Sequence, residues 1–269
     1  MSKQNTVVRN GVEYFTEPFQ ESYSVKDCVS TDEKIIIESE INGKPVTAIG
    51  IEAFGQNHTL KEIVLPDTII KLEERAFRDC INLKTINIPT SVSIIGHYCF
   101  YGCVCLEEIT LPENVLTINK YTFAKCSSMK KITLLSNINS IKENAFEDCI
   151  SLSEIIFPET LTKINEFAFR NCQSLQVVDF PQSVDSIGVS AFEKCKNIER
   201  VYIPSNIQEI KRDAFRGCSS IKYVIFDSKL VKRHDADKIF SQLFDSGLHT
   251  REILLRIPTS ISPCVSNNP

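Results

Sequence analysis

Residues 141–163 read IKENAFEDCISLSEIIFPETLTK and residues 164–186 read INEFAFRNCQSLQVVDFPQSVDS, so that one 23-residue unit directly follows another. The pattern continues in both directions without insertion. Eight copies begin at Ile49, Leu72, Ile95, Ile118, Ile141, Ile164, Ile187 and Ile210. A fixed period of this length predicts a solenoid, because one such unit buries too little apolar surface to fold without stacked neighbours.

Each unit contains a part that predicts a strand and a part that predicts a turn. Around Leu60, Ile63 and Leu65 of the first copy, apolar and variable residues alternate, as in a short strand with one buried face. Proline then ends the strand in six copies, since it donates no ladder hydrogen bond. The part that reads I-G-x-x-A-F-x-x-C is richer in small residues, and we interpret it as a helical or 3₁₀ turn on the opposite side of the coil.

The positions that face the interior carry the same residues in almost every copy. The invariant aromatic residues are Phe54, Phe77, Phe100, Phe123, Phe146, Phe169, Phe192 and Phe215. A cysteine follows in seven copies, at Cys80, Cys103, Cys126, Cys149, Cys172, Cys195 and Cys218, and Asn57 takes that position in the first. We interpret these cysteines as small buried apolar side chains. The alternative is a metal-binding or redox stack, although no histidine lies between them.

The sequence divides into three parts, which are an N-terminal cap over 1–45, the repeat array over 46–227 and a C-terminal cap over 228–269. The first cap contains Asn42-Gly43, a strong signal for a β-hairpin, while the role of residues 1–34 stays open. In the second cap, apolar spacing predicts a helix over 235–246. REILLRIP predicts a strand over 251–257, followed by a disordered tail.

Composition and charge narrow the class of partner. The 269 residues carry a formal net charge of -4, and Lys and Arg form no run, which argues against nucleic acid as a partner. No segment is apolar over the roughly 18 residues that a transmembrane helix needs. The opening MSKQNTVVRNGVEYF does not read as a signal peptide, so the expected location is the cytoplasm, with unconventional export to the cell surface as the alternative.

The pattern I-G-x-x-A-F-x-x-C-x-x-L-x-x-I-x-L-P resembles the BspA-like (Treponema pallidum type) class of leucine-rich repeat over about residues 46–227. The resemblance implies an α/β solenoid, a right-handed superhelix of eight coils with a parallel sheet on one face, short helical or 3₁₀ turns on the other and a cap at each end. Several members of this class are described as surface antigens or adhesins that bind host proteins. This chain differs in having Leu135 in place of the fourth proline and Asp227 in place of the eighth.

No motif in the sequence predicts a catalytic residue, a cofactor or a metal. The four histidines are scattered, and no nucleophile elbow, phosphate loop or paired-carboxylate motif occurs. Asn57-His58-Thr59 is a glycosylation sequon, but we expect its asparagine to face inward and to bond nearby backbone. The redox state stays open for Cys28, Cys99, Cys105 and Cys264.

The outward positions of the strands predict the binding surface. Residues equivalent to Glu62 and Val64 point away from the core and vary between copies, so we expect them to form one continuous variable sheet. In the later coils these positions carry apolar and aromatic residues beside charged ones, the types that dominate interface energies. The predicted partner-binding residues are Ile156, Val177, Asp179, Arg200, Tyr202, Tyr223 and Ile225.

Three hypotheses for function follow from the sequence. The first is a monomeric, non-catalytic scaffold that binds a protein partner through this sheet. The second is a surface antigen or adhesin of the BspA-like type, and the third is an enzyme with its site in the caps. A structural alternative for Tyr223 and Ile225 is that the C-terminal helix folds back and covers them.

Overall fold

The computed structural model describes residues 6–16, 21–135, 137–245 and 252–256. Six strands form the N-terminal cap, which are β1 (Thr6–Arg9), β2 (Val12–Thr16), β3 (Tyr23–Cys28), β4 (Lys34–Ile36), β5 (Glu40–Ile41) and β6 (Lys44–Ile49). β1 to β3 form an antiparallel meander, and β5 and β6 form a hairpin. Asn42 and Gly43 both have positive φ, as a tight hairpin turn requires.

The meander closes the first end of the core. Tyr14, Tyr23 and Val25 are buried, and β3 pairs parallel with β6, the strand that leads into the first repeat. These contacts give residues 6–16 and 21–34 a structural role as a cover over the first coil.

The repeats contain fourteen short strands, and the C-terminal cap contains two helices and a strand. The repeat strands are β7 (Glu62–Val64), β8 (Lys71–Leu72), β9 (Thr85–Ile86), β10 (Ile94–Ile95), β11 (Glu108–Leu111), β12 (Thr117–Ile118), β13 (Lys131–Leu134), β14 (Ser140–Ile141), β15 (Lys163–Ile164), β16 (Val177–Asp179), β17 (Ser186–Ile187), β18 (Arg200–Ile203), β19 (Glu209–Ile210) and β20 (Tyr223–Asp227). The cap elements are α1 (Ser228–Val231), α2 (Ala236–Asp245) and β21 (Glu252–Arg256).

These strands confirm the predicted leucine-rich-repeat solenoid and its parallel sheet. Every coil except the fifth contributes one strand to a first sheet, built from the L-x-x-I-x-L segments, and most coils contribute a second strand to a second sheet. The second sheet is built from two-residue strands at the repeat starts and pairs, for example, Ile118 with Ile141 and Ile141 with Ile164. The repeat pattern does not reveal the second sheet, because a two-residue strand is too short to show a period.

The I-G-x-x-A-F-x-x-C segment is a chain of turns, and none of the copies propagates into a helix. In the fifth coil, Asn144 and Asp148 have φ of 58° and 62°, which breaks any helix every four residues. Between them, local bonds of 3₁₀ type alternate with bonds to the next coil: Glu147 N–H donates to Asn144 C=O, and Phe146 N–H donates to Ala168 C=O. The predicted turn is therefore present, and its backbone also links neighbouring coils.

Two ladders fill the core behind these turns. The eight invariant phenylalanines form one continuous stack, with neighbouring ring centroids 5.0–5.5 Å apart and planes within 11° of parallel. The seven repeat cysteines, here called the ladder cysteines, are all buried. Each donates its S–H to the carbonyl of the phenylalanine in the preceding coil, as Cys149 does to Phe123 at 3.1 Å.

The first sheet is divided into three segments, and this corrects the prediction of one continuous sheet. The segments are β4-β7-β9, β11-β13 and β16-β18-β20-β21. The first break separates β9 from β11. Just after β9, the side-chain amide of Asn87 accepts from Leu65 N–H of the preceding coil at 2.8 Å and donates to Leu65 C=O at 2.9 Å. The second break follows the coil with Leu135, where Asn137 N–H donates to Leu135 C=O and the proline-type turn of the other coils is absent.

The C-terminal cap closes the other end of the core. Helix α2 packs on β19, the side chain of Gln242 accepts from Ile210 N–H at 3.1 Å, and the Phe240 ring meets Phe226 edge to face. Ahead of α2, Arg233 donates to the carbonyls of Ser205 and Ile207. The ends of the predicted helix and strand, and the predicted disordered tail, lie outside the described residues.

Candidate binding surface on the first sheet

The C-terminal segment of the first sheet carries six of the seven predicted partner-binding residues. The register of β16, β18 and β20 aligns them in two rows, one of Val177, Arg200 and Tyr223 and one of Asp179, Tyr202 and Ile225. Adjacent strands lie about 4.8 Å apart, so each row crosses roughly 10 Å of sheet. The parallel hydrogen bonds hold both rows on a rigid support.

The seventh residue, Ile156, lies apart from this segment. Within the first sheet, the described residues of its coil pair with the preceding coil through a single bridge between Lys131 and Glu154, and no described strand contains Ile156. The side chain is 74% exposed. The structure therefore places Ile156 at the break in the sheet, beside the two rows rather than within them.

The first row combines exposed apolar surface with a fixed charge pair. Val177 is 37% exposed and Tyr223 is 40% exposed. Arg200 lies between them in the register, and its Nη2 contacts Asp179 Oδ2 at 2.5 Å. This ion pair is itself partly exposed, so its contribution to folding is small. It does hold a cation and an anion in defined positions beside the apolar side chains.

In the second row, Tyr202 is bonded to other parts of the molecule. The Tyr202 hydroxyl accepts from Gln182 Nε2 at 2.8 Å and donates to Asp227 Oδ2 at 3.1 Å. Asp227 is buried, and its other oxygen accepts from Lys229 N–H at the start of α1. Tyr202 is half-buried and joins the sheet to the C-terminal cap, so a substitution there would disturb the cap as well as any bound partner.

The C-terminal helix does not lie over the first row. Its contact with the sheet is made by Phe240 on Phe226, which is buried on the core side, whereas Tyr223 remains exposed on the other side. Among the described residues, α2 therefore leaves Val177 and Tyr223 exposed.

The ladder cysteines are free, buried thiols. Burial raises the pKa of the Cys80 thiol to about 12 and also raises the pKa of the Cys126 and Cys149 thiols. Among the described residues, no group of three or more His, Cys, Asp or Glu side chains is arranged to hold a metal ion. The described cysteines, including Cys28, Cys99 and Cys105, are unpaired, whereas Cys264 lies outside the described residues.

Asn57, the asparagine of the sequon, occupies the ladder-cysteine position in the first coil. Asn57 Oδ1 accepts from the backbone N–H groups of Thr59 and Leu60, and its Nδ2 donates to Ser30 C=O in the N-terminal cap at 3.4 Å. A glycan on Nδ2 would break this contact. The side chain therefore links the first coil to the cap, as a cysteine links each later coil to its predecessor.

Sequence reasoning missed a cluster of aromatic and cationic side chains on the turns of the second to fourth coils. The Tyr98 and Tyr121 rings stack at 4.6 Å, and Arg75 lies over Tyr98. Arg78 and Lys125 lie over the Tyr101 ring. The repeat itself could have revealed the stack, since Tyr98 and Tyr121 occupy the same position in successive copies.

A polar groove on the second sheet is a further feature that the sequence did not indicate. It has a volume of about 470 Å³ and is lined by side chains of both charges, including Lys163, Asp185 and Glu209. Gly188 is one of the lining residues, and a Cβ there would come within 2.5 Å of the Asn165 backbone.

No helix within the described ranges has both the length and the apolar character to cross a bilayer. The family description "BspA type Leucine rich repeat region" matches residues 26–151 and 116–243, with 6 copies of the repeat. No curated protein matches the sequence.

Solved structures of leucine-rich repeat proteins are similar to this chain. One from Bacteroides ovatus ATCC 8483 is 23% identical, with 93% of this chain and 76% of that chain covered and a TM-score of 0.47. A leucine rich cell surface protein from Faecalibacterium prausnitzii A2-165 is 18% identical, with 97% and 96% covered and a TM-score of 0.45. The T. pallidum leucine rich repeat protein is 19% identical, with 93% and 100% covered and a TM-score of 0.38.

Proposed function

Since the chain belongs to the BspA-type leucine-rich-repeat family, a family of repeat scaffolds, we propose that it binds a protein partner through the C-terminal segment of its first sheet. One observation carries this proposal: exposed Val177 and Tyr223 flank Arg200 in a single row on a rigid sheet. Apolar, aromatic and arginine side chains in such an arrangement contribute most of the energy in protein interfaces. The proposed activity is recognition, with no bond made or broken.

Each residue has a separate part in the proposed interface. Val177 and Tyr223 supply apolar contact area, and Ile156 extends that area across the break in the sheet. The Arg200–Asp179 pair sets the orientation, since a partner must meet a cation and an anion at fixed places. Tyr202 and Ile225 support the surface from the second row, where Tyr202 is already bonded to Gln182 and Asp227.

The test replaces the two exposed side chains of the first row together, as Val177→Ser with Tyr223→Ala. A matched control carries Glu108→Ala with Lys131→Ala, which changes the same repeat positions in earlier coils and removes two exposed side chains. The immobilised full chain captures proteins from a lysate of its source cells, and mass spectrometry ranks them. We expect one captured protein to bind the wild type and the control alike. The first variant should bind that protein with roughly 100-fold lower affinity, because two interface residues contribute about 1.4 kcal/mol each.

Two results would count against the proposal. One is equal retention of every captured protein by both variants, and the other is loss of binding in the control alone, which would move the surface to the earlier coils. Circular dichroism of each variant confirms that the fold persists before binding is compared.

A cell-surface role is the second candidate, and the family membership favours it because several BspA-like proteins are described as surface antigens or adhesins. Labelling intact source cells with a membrane-impermeant biotin reagent distinguishes the two locations. Labelled chain, with an unlabelled cytoplasmic marker in the same cells, supports the adhesin. Label that appears only after lysis supports an intracellular scaffold.

A further inference from the structure

The aromatic and cationic cluster on the turns of the second to fourth coils, here called the tyrosine platform, consists of Arg75, Arg78, Tyr98, Tyr101, Tyr121 and Lys125. Arg75 lies 5.6 Å from the centroid of the Tyr98 ring, and Tyr98 stacks on Tyr121 with ring planes 6° apart. Tyr101 packs obliquely on Tyr98 at 5.7 Å. All three tyrosines are half-buried, so the platform presents partly exposed phenol rings on a hydrogen-bonded turn backbone.

Two of these tyrosines occupy a backbone conformation that is unfavourable for a bulky side chain. Tyr98 and Tyr121 both have φ of 57°, in the left-handed region that Gly, Asn and Asp tolerate best. Three later copies carry small polar residues at this position with the same conformation, which are Asn144, Ser190 and Asp213. The two tyrosines therefore cost backbone energy that the repeat can avoid, and residues kept under such strain indicate a function.

The stack of rings ends at Tyr121. Because the Tyr98 and Tyr121 rings are parallel and belong to successive coils, the second face of Tyr121 is directed toward the fifth coil. The equivalent residue of that coil is Asn144, which has no ring and donates from Nδ2 to Glu147 Oε2 at 2.8 Å. Within the part of the chain that the structure describes, no aromatic ring stacks on this face and no cation lies over it.

A tyrosine offers an apolar ring face and a polar hydroxyl. A sugar ring is complementary to both, since its C–H groups lie on its faces and its hydroxyls lie at its edge. The open face of Tyr121 can therefore hold one sugar ring, which extends the stack by one layer into the fifth coil.

The charges around the rings are balanced. The cations are Arg75, Arg78 and Lys125, and the carboxylates that contact the two arginines are those of Glu52, Glu74 and Asp79, at N–O distances of 3.2–3.4 Å. Equal numbers of cations and anions give no preference for a polyanion such as nucleic acid. Paired cations and carboxylates instead place hydrogen-bond donors beside acceptors, and two neighbouring sugar hydroxyls require both.

The size of the platform favours a small ligand over a protein. Its three coils extend about 10 Å along the array, whereas a stable protein interface covers about 800 Å² on each partner. We propose that the tyrosine platform binds an uncharged oligosaccharide, with one sugar ring on the open face of Tyr121 and further hydroxyls bonded to the tyrosine hydroxyls and the arginine–carboxylate pairs. This site is separate from the first-sheet row of Val177, Arg200 and Tyr223, so either proposal can fail without the other.

Affinity electrophoresis of the full chain tests the site, in gels that contain mannan, laminarin or galactan, with heparin as the anionic comparison. We expect at least one of the three neutral polysaccharides to slow the wild type. Tyr98→Asn with Tyr121→Asn should weaken that binding about tenfold or more, because both rings are lost. Its melting temperature should stay within about 3 °C of the wild type, since Asn relieves the backbone strain that the tyrosines impose.

The matched control is Phe167→Asn, which makes the same change at the same repeat position, also at φ of 57°, outside the platform. It should bind the polysaccharide as the wild type does. Circular dichroism shows whether each variant is folded. If the double variant does not fold, Tyr121→Asn alone takes its place, since it removes the ring with the open face.

Four results would overturn the proposal. The first is that none of the three neutral polysaccharides slows the wild type, and the second is retardation by heparin alone, which indicates an anion site. The third is equal retardation of the wild type and the double variant, which places the sugar elsewhere. The fourth is a protein that the wild type retains and the double variant loses while no polysaccharide binds, which assigns the platform to protein recognition.

Discussion

The ladder cysteines supply a hydrogen bond that the turn backbone does not. In each coil the phenylalanine carbonyl accepts a hydrogen bond from the backbone N–H three residues later. The cysteine thiol of the next coil donates a second hydrogen bond to the same carbonyl oxygen, as Cys149 does to Phe123. A thiol is small enough for the space beside the phenylalanine stack and carries a weak donor. This explains why cysteine recurs at a position where alanine or valine would be equally apolar.

Burial of these thiols predicts a loss of stability at high pH. Burial raises the pKa of Cys80 from 9.0 to about 12. A folded pKa above the unfolded one means that the contribution to stability is complete below about pH 9 and is lost as the pH rises toward about 12. We expect the free energy of unfolding in urea to fall more steeply between about pH 8.5 and 10 in the wild type than in Cys80→Ala, by up to about 1.4 kcal/mol per pH unit.

The control for this measurement is Cys105→Ala, which removes a partly exposed thiol. It should keep the wild-type slope. A Cys80→Ala variant whose slope equals that of the wild type would contradict the assignment of the loss to the buried ladder.

At the scale of elements, the C-terminal cap depends on a few polar contacts in addition to its apolar face. Arg233 lies between the last proline turn and α2, where it donates to Ser205 C=O and Ile207 C=O and pairs with Asp235. Interaction with the Arg233 guanidinium lowers the pKa of Asp235. One side chain thus ties a helix to a turn 26 residues earlier in the chain.

Substitution of this arginine should loosen the cap without unfolding the array. Arg233→Ala leaves two carbonyl groups without their donor, which costs about 1–3 kcal/mol. We expect hydrogen exchange to accelerate in α2 and β19, while amides in β11 and β12 keep their protection. Lys232→Ala, the exposed neighbour, is the control, and faster exchange in both variants alike would show that the contact is unimportant.

At the scale of the whole molecule, the coils are coupled unequally. The second sheet runs without a break from β12 to β19, and the phenylalanine stack runs through all eight copies. The first sheet, however, has no strand in the fifth coil, whose described residues keep one bridge to the fourth coil and none to the sixth. In a solenoid, stability is a sum of such nearest-neighbour contacts, so the fifth coil is a weak point of the first sheet.

Native-state hydrogen exchange should reveal that weak point. Residues 154–157, 177–180 and 200–203 occupy equivalent positions in three successive coils. We expect amides in the first of these segments to exchange about tenfold or more faster than in the other two, because they lack ladder bonds to a following strand. Equal protection in all three segments would mean that the break has no energetic effect.

Much of the fold was predictable from residues that repeat. The 23-residue period located the phenylalanine and cysteine ladders, because every copy places the same side chain in the same environment. The outward row of Val177, Arg200 and Tyr223 was predictable for the same reason, since alternation along a strand assigns each position to one face. The hairpin at Asn42-Gly43 followed from local turn chemistry.

Other features depended on contacts that no periodic pattern encodes. The two-residue strands of the second sheet form only because the coils on either side supply their hydrogen-bonding partners. The break at Ile156 and the side-chain bonds of Asn87 to Leu65 depend on how particular coils meet. Tyr202 is bonded to Asp227, 25 residues away, only in the folded chain. The sequence by itself thus determined the repeat, its core and its outward face, since those arise within one coil. The tertiary structure alone decided where the sheet is interrupted, because those breaks depend on contacts between neighbouring coils.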